Sequence, residues 1–171
     1  FPKDTLALNR MAQEHGVSSR NVEAVVEVNA SQKARMVSKI RAALGGSEAD
    51  RVIAVLGLTF KPETDDMRDA PALAILPALA DRGALIRAHD PQGQPEARAL
   101  LPESIHYAHS IEEAVSGADA VVLMTEWNQY RGLDLADLRS RMRGSVFIDL
   151  RNVYERGLME RAGFRYSCVG R

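Results

Sequence analysis

The sequence predicts an α/β fold, a doubly wound parallel sheet preceded by a helical segment, on three observations. After Gly46, short apolar runs alternate with helical spans in the manner of βαβ units. The first run, Val52 to Leu58, is rich in β-branched residues and apolar on both alternating faces, as a strand covered by helices on both sides must be. Before it, Phe1 to Gly46 carries apolar residues at three-to-four spacing and reads as helix throughout. The expected organisation is therefore a helical segment over 1–46 and a sheet domain over 47–171.

In chain order, Asp4 can cap a first helix carrying Leu6, Ala7, Leu8, Met11 and Ala12, which stops at His15-Gly16. A second helix follows Ser18-Ser19, presents Val22, Val25, Val26, Met36, Val37, Ile40 and Leu44, and ends at Gly45-Gly46. Asn29, Ala30 and Lys33 interrupt its stripe, which reads either as a solvated face or as a contact with another domain or subunit. Two such helices cannot bury themselves alone. Pro71 to Arg82 reads as the next helix, with Asp69 as N-cap and Pro71 in the first turn, where a missing N–H costs nothing.

Ala84 to His89 is a second strand closing on the turn dipeptide Asp90-Pro91, and Gln94 to Leu101 a short helix. A weak third strand over Ile105 to Ala108, a helix over Ile111 to Ser116 and a strongly apolar fourth strand over Ala118 to Thr125 follow. Leu135 to Met142 is helical, Ser145 to Asp149 a fifth strand, Leu158 to Ala162 a helical turn or two, and Phe164 to Val169 a last strand. Five or six parallel strands with short connections amount to a Rossmann-like sheet.

Composition bounds what this sheet can do. A 171-residue chain that is 46% hydrophobic and 26% charged can bury one sizeable core. A net charge of -1 argues against a general grip on nucleic acid, which needs a surplus of Lys and Arg. No run approaches the roughly 20 apolar residues of a membrane span and no signal peptide opens the chain, so a cytoplasmic protein is expected. The single cysteine, Cys168, excludes an internal disulfide framework and a cysteine-based zinc cluster. Because it sits in an apolar strand without a His or helix start beside it, it reads as a buried small hydrophobe. No metal site is expected, since His106 and His109 straddle a strand and point to opposite faces. With Phe1 where an initiator Met would stand, the chain is expected to be a piece of something longer.

Doubly wound sheets bind ligands beyond the carboxyl ends of their strands. Three polar groups fall there: Phe60-Lys61 through Arg68, Thr125-Glu126-Trp127, and Asp149 through Asn152. Lys61, Arg68 and Arg151 could together neutralise a pyrophosphate, the arginines by bidentate forks and the lysine as a compact charge. The competing reading is that Lys61 and Arg68 merely pair with Glu63, Asp65, Asp66 and Asp69 on a solvated loop. Gly57-Leu58-Thr59-Phe60-Lys61 lacks the G-x-G-x-x-G pattern, so this sheet is not expected to hold NAD in the usual way. Asp90 stands where such folds often place a ribose-binding acid, but the turn reading is preferred. Trp127 reads as a packing or interface anchor.

The segments FPKD, GLTFKPETDDMRDAP, TEWNQY followed by LD, and DLRNVY followed by a closing GF-Y-VGR resemble, in this order and nearly end to end, the UDP-glucose/GDP-mannose dehydrogenase family. The resemblance implies an N-terminal NAD-binding domain preceding this chain, a central helix that makes a homodimer, and a C-terminal UDP-binding domain. It implies oxidation of UDP-glucose to UDP-glucuronate with two NAD reduced, a reaction of polysaccharide biosynthesis, through a cysteine immediately before the FPKD motif. Oxidation of UDP-N-acetylmannosamine or GDP-mannose, or a non-catalytic UDP-sugar-binding module, are the alternatives.

By the same resemblance Asp4 supports the reacting cysteine, though a plain helix N-cap explains it equally, and Lys3 with Phe1 lies near the NAD cofactor. Phe60 and Lys61 match a pair contacting the UDP-sugar, Arg151 matches a substrate-contacting arginine, and Arg68 matches an arginine reaching NAD across a domain interface.

Overall fold

In the computed structural model the described residues are 2–170, with side chains from Asp4 onward. Phe1 and the Lys3 side chain, assigned a place near the cofactor above, lie outside them. Two helices open the chain, α1 (Pro2–Glu14) and α2 (Arg20–Ala43). There follow β1 (Val52–Leu56), α3 (Ala72–Ala80), β2 (Leu85–His89), α4 (Gln94–Leu100), β3 (His106–Tyr107), α5 (Ile111–Val115) and β4 (Ala120–Leu123). The remainder is α6 (Asn128–Arg131), α7 (Leu135–Arg141), β5 (Val146–Asp149), α8 (Arg156–Arg161) and β6 (Arg165–Cys168). The six strands form one sheet in the order β3-β2-β1-β4-β5-β6, every described pair parallel. That is the doubly wound Rossmann-like order, whose direction reverses between β1 and β4.

Strand alternation divides the core in two. Ile53 and Val55 of β1, Val122 of β4 and Ile148 of β5 pack on one face with Ile75, Leu76 and Leu79 of α3. Ala54, Leu56, Val121, Leu123 and Phe147 pack on the other with α5, α7 and α8. Both faces are covered, which is why these strands read as continuous apolar runs. The short α6 was not foreseen, because NQYR has no apolar stripe; Tyr130 alone of its residues is buried.

Two expected caps are corrected. Asp69 does not cap α3: its backbone is left-handed at φ 58° and Pro71 holds the N-cap position without a side-chain bond. Proline's fixed φ sets the helical geometry there, and Asp69 instead turns the loop into it. Asp4 does not cap α1 either; the helix starts at Pro2, so Asp4 lies in its first turn, where a carboxylate still faces favourable helix-dipole charge. Caps do form at Ser110, whose hydroxyl accepts the Glu113 N–H, and at Asp134, whose carboxylate accepts those of Ala136 and Asp137.

Along α2, Val37 and Ile40 are the buried residues, and they join the α3-side core. Leu6, Leu8 and Met11 of α1, Val17, and Val25 and Val28 of α2 stay about half exposed. The C-terminal half of α2 is linked to the end of α3 through Glu48, whose carboxylate is 3% exposed and lies 3.5 Å from both Arg41 of α2 and Arg82 beyond α3. The helical segment is thus continuous with the core at one end only.

Candidate functional site

The register sets Leu56, Leu123, Asp149 and Cys168 side by side at the carboxyl ends of β1, β4, β5 and β6. The three polar groups singled out in the sequence therefore share one rim. At its centre the chain passes β4 so closely that a Cβ at Gly57, φ 91°, would stand 2.5 Å from that of Thr125. Only glycine suits both the conformation and the space. Thr125, itself buried, then donates its hydroxyl to the Thr59 carbonyl at 2.7 Å.

Asp90 organises the β2 side of this rim. Buried to 3% exposure, its carboxylate accepts the backbone N–H groups of Leu58 (2.7 Å), Gln92 (3.0 Å) and Gly93 (2.7 Å) and the Trp127 indole N–H (3.1 Å). Asp90 is thus the turn residue expected from Asp-Pro and a brace between three loops besides. Its hold on the Leu58 amide commits a donor that would otherwise face the rim from the first β-strand turn. Next to it, the Tyr130 hydroxyl donates to the His89 carbonyl at 2.9 Å, so His89 Nδ1, 2.8 Å from the Tyr130 hydroxyl oxygen, carries the proton donated to it. Burial lowers the pKa of this imidazole, against the opposing pull of Asp90.

Asp149 plays the corresponding part at β5. Fully buried, it accepts the Arg151 N–H at 2.9 Å through one oxygen and the Tyr154 N–H and Tyr166 hydroxyl through the other, at 3.0 and 2.9 Å. Burial, followed by this carboxylate, raises the Tyr166 pKa. The backbone that presents Arg151 is consequently fixed by the core.

The two arginines line separate depressions. Arg151 lines a cleft of about 240 Å³ with Gln32, Lys33 and Met36 of α2, Pro71 and Met124. Its guanidinium grips Glu126 through Nε at 2.5 Å and Nη2 at 2.8 Å, and that bond holds the Glu126 carboxyl below its usual range. Lys33 reaches across the mouth to the Asp69 carbonyl at 3.3 Å. Arg68 lines a separate groove with Asp65, Asp66, Leu73 and Glu96. There it forks onto Asp66 at 2.8 to 3.2 Å and depresses that carboxyl to about 2. Arg68 thus pairs with a loop acid, the half of the competing reading that concerns this residue, and the two arginines line different depressions rather than one shared clamp.

Phe60 is 39% exposed and Lys61 exposed, on a loop closed by the Phe60 N–H to the Asp66 carbonyl at 2.9 Å. Asp4 is exposed on the first turn of α1. Cys168 is buried at the end of β6, as its setting suggested, and Trp127 is a buried anchor. Sequence reasoning did not place Lys33 at the rim, although the break in the α2 stripe marked its position. It also left Asp90 and Asp149 without their bracing roles.

A parallel sheet of this order, with polar loops gathered at its carboxyl rim, defines the class of Rossmann-like nucleotide-binding domains. More narrowly, residues 54–156 match the UDP binding domain of the UDP-glucose/GDP-mannose dehydrogenase family, and the chain belongs to that family. Over 171 residues it is 48% identical to a UDP-glucose 6-dehydrogenase of Rhizobium meliloti, covering 100% of this chain and 39% of the relative. A UDP-glucose 6-dehydrogenase of Bacillus subtilis is 39% identical over 100% of this chain and 37% of its own length. The chain thus spans well under half of these curated relatives. Among solved structures, an NDP-N-acetyl-D-galactosaminuronic acid dehydrogenase from Methanosarcina mazei aligns at TM-score 0.84 and 26% identity, over 98% of this chain and 37% of that one. A UDP-glucose dehydrogenase from Pyrobaculum islandicum aligns at TM-score 0.76 and 36% identity, over 87% and 33%.

Proposed function

We propose that this chain is the UDP-sugar-binding portion of an NAD-dependent UDP-glucose 6-dehydrogenase, which converts UDP-glucose to UDP-glucuronate while reducing two NAD. The observation that carries the reading is the end-to-end likeness to UDP-glucose 6-dehydrogenases, at 48% identity across the chain. In this reading residues 47–171 form the UDP-binding unit and 1–46 the end of a dimerisation region. Phe60, Lys61 and Arg151 take the UDP-sugar. Asp4 supports a nucleophilic cysteine preceding Phe1, and Lys3 and Arg68 contribute to binding NAD held by a preceding domain. The exposed apolar side chains of α1 and the first half of α2 support a homodimer. The commitment of the Leu58 amide to Asp90 removes one backbone donor from the turn at which a dinucleotide-binding sheet cradles its pyrophosphate, in keeping with NAD being held elsewhere. A cytoplasmic setting goes with both nucleotide substrates.

Calorimetric titration of the chain tests this. UDP and UDP-glucose are expected to bind, Lys61→Ala and Arg151→Ala each weakening binding by roughly tenfold, the loss of about one charge-assisted contact. NAD is expected to bind poorly by comparison. Equal affinity for NAD and UDP, with both substitutions silent, would overturn the assignment. The likeness to a dehydrogenase of an N-acetylated sugar nucleotide favours a second reading, in which the sugar differs. Competition between UDP-glucose and UDP-N-acetylmannosamine separates the two.

A further inference from the structure

We infer that Glu126 is the positioning residue of the nucleotide site: it holds the Arg151 guanidinium by one edge so that the other faces the diphosphate. The inference rests on the proposed role of Arg151 in binding UDP. Glu126 is locked on both sides, since Thr125 is buried and bonded to Thr59 and Trp127 is buried and bonded to Asp90. Its side chain therefore leaves the rim from a rigid backbone. The carboxylate takes Nε and Nη2 of Arg151 as a side-on pair, at 2.5 and 2.8 Å. That geometry leaves both N–H groups of Nη1 available at the end of the fork.

The pair is half withdrawn from water, the two side chains being 20% and 36% exposed, so the grip is stronger than that of a fully solvated ion pair. Arg151 lines the same cleft as Lys33, whose ammonium is tied to the Asp69 carbonyl. A diphosphate entering there meets an arginine whose four-bond stem is already ordered. Without Glu126, that ordering would be charged to ligand binding. The carboxylate also carries a negative charge that would repel the same ligand if Arg151 did not neutralise it. The two residues are thus coupled with a definite sign.

A double-substitution cycle read by UDP titration tests the coupling. Glu126→Ala is expected to weaken UDP binding by about three- to tenfold, the cost of immobilising one long side chain, with Glu126→Gln intermediate because it keeps a single acceptor. In an Arg151→Ala background the effect should vanish or reverse, since Glu126 then only repels the ligand. A Glu126 that merely supported the fold would weaken binding in both backgrounds and lower the melting temperature. That result overturns the inference, as does a Glu126→Gln chain that binds UDP more tightly than the parent, which would make the carboxylate a competitor. If Arg151→Ala itself leaves UDP affinity unchanged, the reading of the site fails first and this inference falls with it.

Discussion

Asp90 shows what a single residue can and cannot disclose in advance. The Asp-Pro dipeptide announces a turn, and the Gln92 and Gly93 amides bound to Asp90 Oδ1 are that turn. The bonds to Leu58 and Trp127 span 32 and 37 positions and leave no trace in local sequence. Asp90→Ala would strip one acceptor from several buried donors, each costly to leave unpaired, and should destabilise the chain by about 3–5 kcal/mol in urea unfolding. A loss below about 1 kcal/mol would mean that water replaces the carboxylate. The basic residues were legible as candidates, but which acid each one meets was not. Arg68 finds Asp66 two residues away, whereas Arg151 finds Glu126 across 25.

Among the elements, strands were legible because burial on both faces forces continuous apolar runs. Turn chemistry was less so: Asp69 has the chemistry of a cap but lies before Pro71, whose ring fixes the helix entry without it. The second helix was placed by periodicity, yet periodicity says nothing of what covers each turn. Val37 and Ile40 are buried against the sheet, while Val25 and Val28 stay exposed. Hydrogen exchange should divide α2 accordingly. At a dilution where the chain is single, amides from residues 21 to 30 are expected to exchange at least about tenfold faster than those of 37 to 43, a difference of roughly 1.4 kcal/mol in local opening. Uniform protection along the helix would show that its first half is covered by something else.

For the molecule as a whole, alternating strands and helices predict a parallel sheet, and its carboxyl rim follows from the fold rule before any side chain is placed. The order β3-β2-β1-β4-β5-β6 joins β1 to β4 across three intervening helices, and only the three-dimensional packing reveals that neighbour pair. The same distance in sequence hid the partition of Arg68 and Arg151 into separate depressions. The exposed apolar residues of the helical segment bear on assembly. Sedimentation equilibrium is expected to return twice the 18.8 kDa chain mass at micromolar concentration, and Leu8→Glu with Met11→Glu should restore the single-chain value. A single-chain mass for the unsubstituted protein would rule out that face as a self-contact. Glu48 gives these two halves a mechanical relation. Because one buried carboxylate stands 3.5 Å from both Arg41 and Arg82, the long helix is anchored at its C-terminal end and its first half overhangs the sheet domain, carrying one wall of the cleft at Lys33 with it.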